Sequence, residues 1–136
     1  MADSNCGCGR CAFWLRAVLR IAVAILFMQH GGQKLFNYPA GHGTVPLQSL
    51  LGVAGILELG GGALVLVGLF TRPVAFILSG QMAFAYFMAH AKQGFWPVQN
   101  GGELAVVYCL IFLYLSAAGA GALSLDCLRK GRKPAA

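Results

Sequence analysis

The sequence predicts an all-α integral membrane protein, built as a bundle of four transmembrane helices with both termini in the cytoplasm. Hydrophobic residues fill 58% of the 136 positions and charged residues only 10%, which leaves too little polar surface to cover a water-soluble core. Four apolar runs follow one another, at residues 12–36, 47–70, 73–91 and 103–123. Each can cross a hydrocarbon layer of about 30 Å, and uninterrupted runs of this length favour helices.

The same runs divide the chain into a cysteine-rich cytoplasmic tail (1–11), one transmembrane domain (12–126) and a basic cytoplasmic tail (127–136). Only Lys34 and Lys92 fall on the side opposite the termini. The side shared by the termini and the second connection carries eight basic residues: Arg10, Arg16, Arg20, Arg72, Arg129, Lys130, Arg132 and Lys133. The positive-inside rule therefore predicts a multi-pass protein of a bacterial-type inner membrane, with both termini in the cytoplasm.

The second run contains an acidic residue, Glu58, near its middle. A carboxylate at that depth costs several kcal/mol unless it faces the protein interior, meets a partner or is protonated. Its helical neighbours at three and four residues are all small: Ala54, Gly55, Gly61 and Gly62. A face of small residues lets another helix approach or leaves room for a ligand, so Glu58 is predicted to face the bundle interior.

The first run supplies a candidate partner for Glu58. Arg16 and Arg20 share a helix face, and the long stem of Arg16 suits snorkelling to the membrane surface. If the span centres near Ile25, Arg20 lies about 7 to 8 Å from the midplane, within side-chain reach of Glu58. The sequence predicts a buried Arg20–Glu58 ion pair, with snorkelling of Arg20 as the alternative.

A polar cluster is predicted at the opposite ends of the spans. His30, Gln33 and Lys34 end the first run, His90 ends the third, and Glu103 begins the fourth. Tyr114 lies three turns deeper on the face of Glu103. The alternative for Glu103 is a favourable charge at a helix N-terminus. For His90, the stripe that it forms with Ser79, Met82 and Tyr86 is also typical of helix packing.

Cysteine usage and charge restrict the other classes of function. An odd total of five cysteines argues against a disulfide framework. Cys6, Cys8 and Cys11 are candidate metal ligands, but they lack a nearby fourth ligand, so reduced thiols, a lipid attachment point or a site shared with a partner are the alternatives. The net charge is +6, but the basic residues lie at the ends of the apolar runs, and this argues against nucleic-acid binding. No haem, flavin or nucleotide motif is evident.

The order and spacing of several short motifs resemble the DoxX family over residues 16–126. The motifs are Gly32-Gln33-Lys34-Leu35, Leu57-Glu58-Leu59-Gly60-Gly61, Gly68-Leu69-Phe70-Thr71-Arg72, Gly101-Gly102-Glu103 and Gly119-x-Gly121-x-x-Ser124-Leu125-Asp126. The resemblance implies a four-helix membrane bundle, in agreement with the apolar runs. It also implies a membrane subunit of, or accessory to, a quinone-linked oxidoreductase complex.

A quinone headgroup site requires polar groups beside an apolar slot. The candidates at the outer ends of the helices are Lys34, His30, Gln33, His90, Glu103 and Tyr114. Electrons would come from a partner subunit or from a substrate bound outside the membrane, and the expected partners are lipid, other membrane subunits or a second copy of the chain. One alternative is a non-catalytic scaffold of a larger complex. Another is a small-solute transporter, although the lack of an inverted repeat argues against it.

Overall fold

The computed structural model of the chain describes residues 5–41, 43–129 and 131, and this part is helical without any strand. The helices are α1 (Asn5–Phe36), α2 (Leu50–Val67), α3 (Thr71–Gln93), α4 (Pro97–Asn100), α5 (Glu103–Ala118) and α6 (Leu125–Arg129). The three longest, α1, α2 and α3, are apolar enough to cross a membrane, and α5 is an apolar helix of 16 residues. The prediction of an all-α membrane protein is confirmed.

Two helix boundaries differ from the predicted ones by five residues or more. α1 begins at Asn5, so the described part of the cysteine-rich tail continues the first helix. α5 ends at Ala118, five residues before the predicted end of the run. Gly119 and Gly121 have φ angles of +84° and +72°, a conformation that glycine adopts readily and that cannot continue a right-handed helix. The segment 119–123 therefore runs across the end of the bundle.

The helices pack mainly in two pairs, α1 with α2 and α3 with α5. Glycine allows the close approach of the first pair: a β-carbon added at Gly31 would come within 2.8 Å of the Gly55 carbonyl oxygen. Gly62 lies similarly close to Met28, and Gly61 to Leu78 of α3. The predicted role of the small residues around Glu58, as contacts for neighbouring helices, is confirmed.

An aromatic cluster occupies the centre of the bundle, where the two pairs meet. Phe27 of α1 contacts Phe112 of α5 edge to face, with ring centroids 4.8 Å apart, and lies 5.2 Å from the ring of Tyr108. Leu78 and Val65 complete this core from α3 and α2. Tilted and edge-to-face aromatic pairs are favourable beyond the area that they bury.

One end of the bundle, which we call the arginine end, is held by Arg20, whose side chain is fully buried. Its guanidinium donates to five carbonyl oxygens: those of Val65 and Leu66 at the end of α2, and those of Ala120, Ala122 and Leu123 in the segment after α5. A guanidinium carries five N–H donors, so every donor of this buried cation has a partner. Arg20 thereby ties three separate parts of the chain together.

Asp126 holds the same end together from the surface. Its two carboxylate oxygens accept hydrogen bonds from the backbone N–H groups of Phe70 (2.9 Å) and Thr71 (2.8 Å) at the start of α3. Gly68 makes room for this contact, because a β-carbon there would lie 2.4 Å from Ser124 Cβ. Burial raises the pKa of Asp126, but the hydrogen bonds from Thr71 and Phe70 and the charge of Arg129 outweigh it and hold the pKa below its ordinary value.

We expect Arg20→Lys to destabilise the protein by about 3 kcal/mol or more, because an ammonium has three donors and leaves at least two buried carbonyls without a partner. The measurement is thermal unfolding in detergent, followed by circular dichroism. Arg72→Lys, at an exposed position of the same end, is the matched control and should change stability by less than about 1 kcal/mol. Equal effects of the two substitutions would contradict the role given to Arg20.

We also expect Asp126 to make stability depend on pH. Because its pKa is lower in the folded than in the unfolded state, its contribution is complete above about pH 5 and is lost as the pH falls through the folded-state pKa. Asp126→Asn should lower the unfolding free energy by about 1 to 2 kcal/mol at pH 7 and flatten this acid dependence. Chemical denaturation between pH 3 and pH 7 measures both, and an acid dependence that is unchanged in Asp126→Asn would contradict this role.

Candidate functional site

A buried ion pair lies towards the other end of the bundle, which we call the histidine end because it carries His30 and His90. The Lys34 ammonium of α1 contacts the Oε1 atom of Glu58 in α2. The Glu58 side chain is 3% exposed and that of Lys34 28% exposed, so the lysine reaches from the surface to the carboxylate. The cation offsets the cost of burying the carboxylate in the membrane.

Gln81 of α3 is the third polar side chain at this position. Its Nε2 atom lies 3.4 Å from Glu58 Oε1 and 3.3 Å from the backbone oxygen of Ala54. Glu58 Oε2 and Gln81 Oε1 are both buried and have no hydrogen-bond partner among the described residues. Buried polar atoms are rarely left unpaired in proteins, so this group of side chains has capacity to bind a further molecule.

Both helices that frame the site depart from regular α geometry there. Glu58 lies in a π-helical turn of α2 (Leu57–Gly61), and His90 ends a π-helical turn of α3 (Tyr86–His90). Such turns are rare and frequently occur at functional sites, because they redirect side chains relative to the rest of the helix.

Two cavities meet at the ion pair. The first, of about 230 Å³, extends towards the histidine end and is lined by polar side chains from four helices, namely His30, Lys34, Glu58, His90 and Tyr108. The second, of about 420 Å³, is an apolar groove between α2 and α3, and its polar lining consists of Lys34, Glu58 and Gln81. We call them the polar cavity and the groove. Lys34 and Glu58 line both cavities, together with Met82 and Ala85, and so form part of the wall between them.

A hydrogen-bonded turn fixes His90 at the rim of the polar cavity. Its Nδ1 atom lies 3.1 Å from the Asn100 carbonyl oxygen. The side chain of Asn100 is itself buried and bonds to the Gly94 carbonyl (2.6 Å) and the Gly102 N–H (2.8 Å). Because a carbonyl only accepts, Nδ1 carries the proton and Nε2 of the neutral ring is an acceptor. The turn thus sets both the position and the tautomer of His90.

The predicted Arg20–Glu58 ion pair is wrong. Glu58 lies beside Gly31, where an added β-carbon would come within 3.1 Å of Glu58 Cβ, and Gly31 is eleven residues, or about 16 Å, along α1 from Arg20. Side chains of a helix also lean towards its N-terminus. Arg20 therefore reaches away from Glu58, whereas Lys34 reaches towards it.

Three of the predicted polar candidates lie outside the site. Gln33 packs beside Gly41 of the connection that follows α1. Glu103 is exposed in the first turn of α5, as the alternative reading of a favourable N-terminal charge requires. Tyr114 is 48% exposed on the outer face of α5. The structure brings together Lys34, His30 and His90 from the predicted set.

The predicted thiol site involves Cys6, Cys8 and Cys11. The side chains of Cys6 and Cys8 lie outside the described residues, and Cys11 is exposed. Within the part of the chain that the structure describes, no three His, Cys, Asp or Glu side chains are placed to hold a metal ion.

Two residues of the site were not predicted, Gln81 and Tyr108. The available signal for Gln81 was a polar residue within an apolar run. Tyr108 is buried between Phe27 and His30, with its ring centroid 5.9 Å from that of His30. The sequence of α5 is apolar at nearly every position, so its pattern does not show which tyrosine faces inward.

Comparison with known proteins finds a matching family and several relatives. The sequence profile of the family described as DoxX matches residues 15–91. An uncharacterized protein of Haemophilus influenzae is 50% identical over 117 residues, which cover 81% of this chain and 87% of that protein.

More distant relatives show the same coverage. A second uncharacterized protein of Haemophilus influenzae is 32% identical and covers 83% of this chain and 82% of its own length. The inner membrane protein YqjF of Escherichia coli is 32% identical, with 80% of this chain and 87% of that protein covered. No solved structure matches the chain significantly.

The buried ion pair gives a stability prediction. We expect Lys34→Met to lower the unfolding free energy by about 2 kcal/mol or more, because it leaves the Glu58 carboxylate buried without a cation. The double substitution Lys34→Met with Glu58→Met should recover much of that loss. Thermal unfolding of the two single variants and the double variant in one detergent measures the coupling, and additive losses would contradict a direct interaction.

Proposed function

The chain belongs to the DoxX family, and from this we propose that it is a membrane subunit of, or accessory to, a quinone-linked oxidoreductase complex. The family match spans α1 to α3, and so includes Lys34, Glu58, Gln81 and His90. In this proposal the chain contributes a headgroup site for the quinone, and a partner subunit exchanges the electrons.

The observation that carries the proposal is the position of the Lys34–Glu58 pair in the wall shared by the groove and the polar cavity. Ligand sites are mostly apolar pockets of about 300 to 1,000 Å³ with a few placed polar groups, and the groove has this character. The two unpaired oxygens of Glu58 and Gln81 provide polar contacts for a headgroup at one end. The apolar remainder suits an isoprenoid tail.

The chain's own residues could also move a proton to and from that position. Glu58 lines both cavities, and His30, Tyr108 and His90 line the polar cavity between Glu58 and the histidine end. Histidine exchanges protons near neutral pH. When bound, a quinone supplies two-electron chemistry coupled to proton transfer, and these side chains would hold or pass the protons.

We place the protein in the inner membrane, as the name of the Escherichia coli relative states for that protein. The eight basic residues that flank the termini and the second connection support cytoplasmic termini. The histidine end and the polar cavity would then lie towards the outer face of the membrane.

A second role, as a non-catalytic scaffold, is favoured by a different surface. An apolar groove of about 660 Å³ lies on α1 and α2, and its lining includes Ile25, Met28, Phe36, Leu59 and Leu66. A helix of another subunit, or of a second copy of the chain, could pack there. In this role the Lys34–Glu58 pair would only fix the register of α1 and α2.

Purification in mild detergent from the native membrane separates the two roles. We expect co-purifying redox subunits and a stoichiometric quinone, both identified by mass spectrometry. Glu58→Gln and Lys34→Met should each lower quinone-coupled turnover of that complex by about tenfold or more while assembly is retained. Glu103→Gln is the matched control outside both cavities. Full turnover in both site variants, with no bound quinone, would overturn the proposal and favour the scaffold.

A further inference from the structure

Two hydrogen-bond acceptors among the residues that line the groove have no donor. Among the described residues that line it, Glu58 and Gln81 each have one buried oxygen without a partner, Oε2 and Oε1 respectively. Both atoms are acceptors. Leaving such atoms unpaired is costly, which means that a ligand able to donate hydrogen bonds would gain from binding here.

The orientation of the Gln81 amide is determined by its surroundings. Its Nε2 atom faces the Ala54 carbonyl oxygen and Glu58 Oε1, at 3.3 and 3.4 Å. Both neighbours can only accept, because the Glu58 carboxylate is paired with Lys34. A flipped amide would place oxygen against oxygen at both contacts. The two N–H groups of Gln81 are therefore used within the protein, and its oxygen is the atom left for a ligand.

The Lys34 ammonium supplies the complementary group. It has three N–H donors, and one of them is committed to Glu58 Oε1. A hydroxyl group can donate to a free oxygen and accept from Lys34 at the same time. A quinone carbonyl can only accept, and would leave the oxygens of both Glu58 and Gln81 unpaired.

We propose that the groove selects a ligand that presents a hydroxyl group, so that it binds the hydroquinone in preference to the quinone. This inference rests on the proposed function and names the form of the ligand that the site recognises. The walls of the groove include the exposed apolar side chains of Leu50, Leu51, Ile77 and Phe84. A lipid-soluble ligand can therefore enter from the membrane between α2 and α3, with its hydroxyl towards Glu58.

The test compares three probes with the same ring and side chain: a short-chain benzohydroquinone, the corresponding quinone and the dimethyl ether of the hydroquinone. Each is titrated anaerobically into the purified full chain in detergent, and binding is measured by equilibrium dialysis. We expect the hydroquinone to bind at least about tenfold more tightly than either of the other two. The ether separates hydrogen-bond donation from ring shape, because it retains the oxygens without their protons.

Variants test whether the preference for hydroquinone depends on the free oxygens of Glu58 and Gln81. Gln81→Met should reduce the preference for hydroquinone several-fold. Glu58→Gln should reduce or invert it, because the new amide offers N–H groups to a quinone carbonyl. Gln99→Met, at an exposed glutamine that lines neither the groove nor the apolar groove on α1 and α2, should leave all three affinities unchanged. If Glu58→Gln does not fold, Gln81→Met still decides the assignment.

The outcomes distinguish this inference from the function on which it rests. Binding of none of the three probes would overturn the proposed quinone site itself. Equal binding of quinone and hydroquinone, as expected if a water molecule satisfies the two oxygens, or tighter binding of the quinone would overturn the inference and leave the site in place. A preference that persists unchanged in both Gln81→Met and Glu58→Gln would overturn the assignment to these residues.

Discussion

The burial of the Arg20 guanidinium is the constraint on which the arrangement of the helices depends. A cation within a membrane bundle must find partners in the protein, and Arg20 uses five backbone carbonyls rather than an acidic side chain. Backbone carbonyls are more readily available to a side chain where a helix ends, because those within a helix already accept a hydrogen bond from the following turn. The end of α2 and the non-helical segment 119–123 must therefore converge on one point of α1. The glycines at 119 and 121 allow the chain to turn there.

The two ends of the bundle bury charge in different ways. At the arginine end all five donors of the Arg20 guanidinium are used, so this cation has no donor left for a ligand. At the histidine end Lys34 satisfies one oxygen of Glu58 and leaves the other free. A fully paired buried charge stabilises a unique fold, whereas a partly paired one beside a cavity is suited to binding.

The sequence alone was sufficient for the helices, the membrane class and the interior position of Glu58, because these depend on run length and on small residues at helical spacing. It was not sufficient for the partner of Glu58. The level of Arg20 was estimated from the helix rise without the helix register, which the contact between Gly31 and Gly55 determines. Tyr108 could not be distinguished from Tyr114, because α5 has no polar face to orient it. The π-helical turns have no simple sequence signal, yet they place Glu58 and His90.

The short motifs of the family acquire separate physical roles in the structure. The Gly68–Arg72 and Gly119–Asp126 motifs are distant in sequence but meet at the arginine end, where Asp126 caps the start of α3 and Gly68 makes room for Ser124. In this chain the two motifs form one structural contact. The motif at 57–61 differs, because Gly61 packs closely on Leu78 of α3 while the carboxylate of Glu58 keeps an unpaired oxygen. Close packing alone does not require a carboxylate at position 58, and this is the strongest physical reason to connect that residue with a ligand.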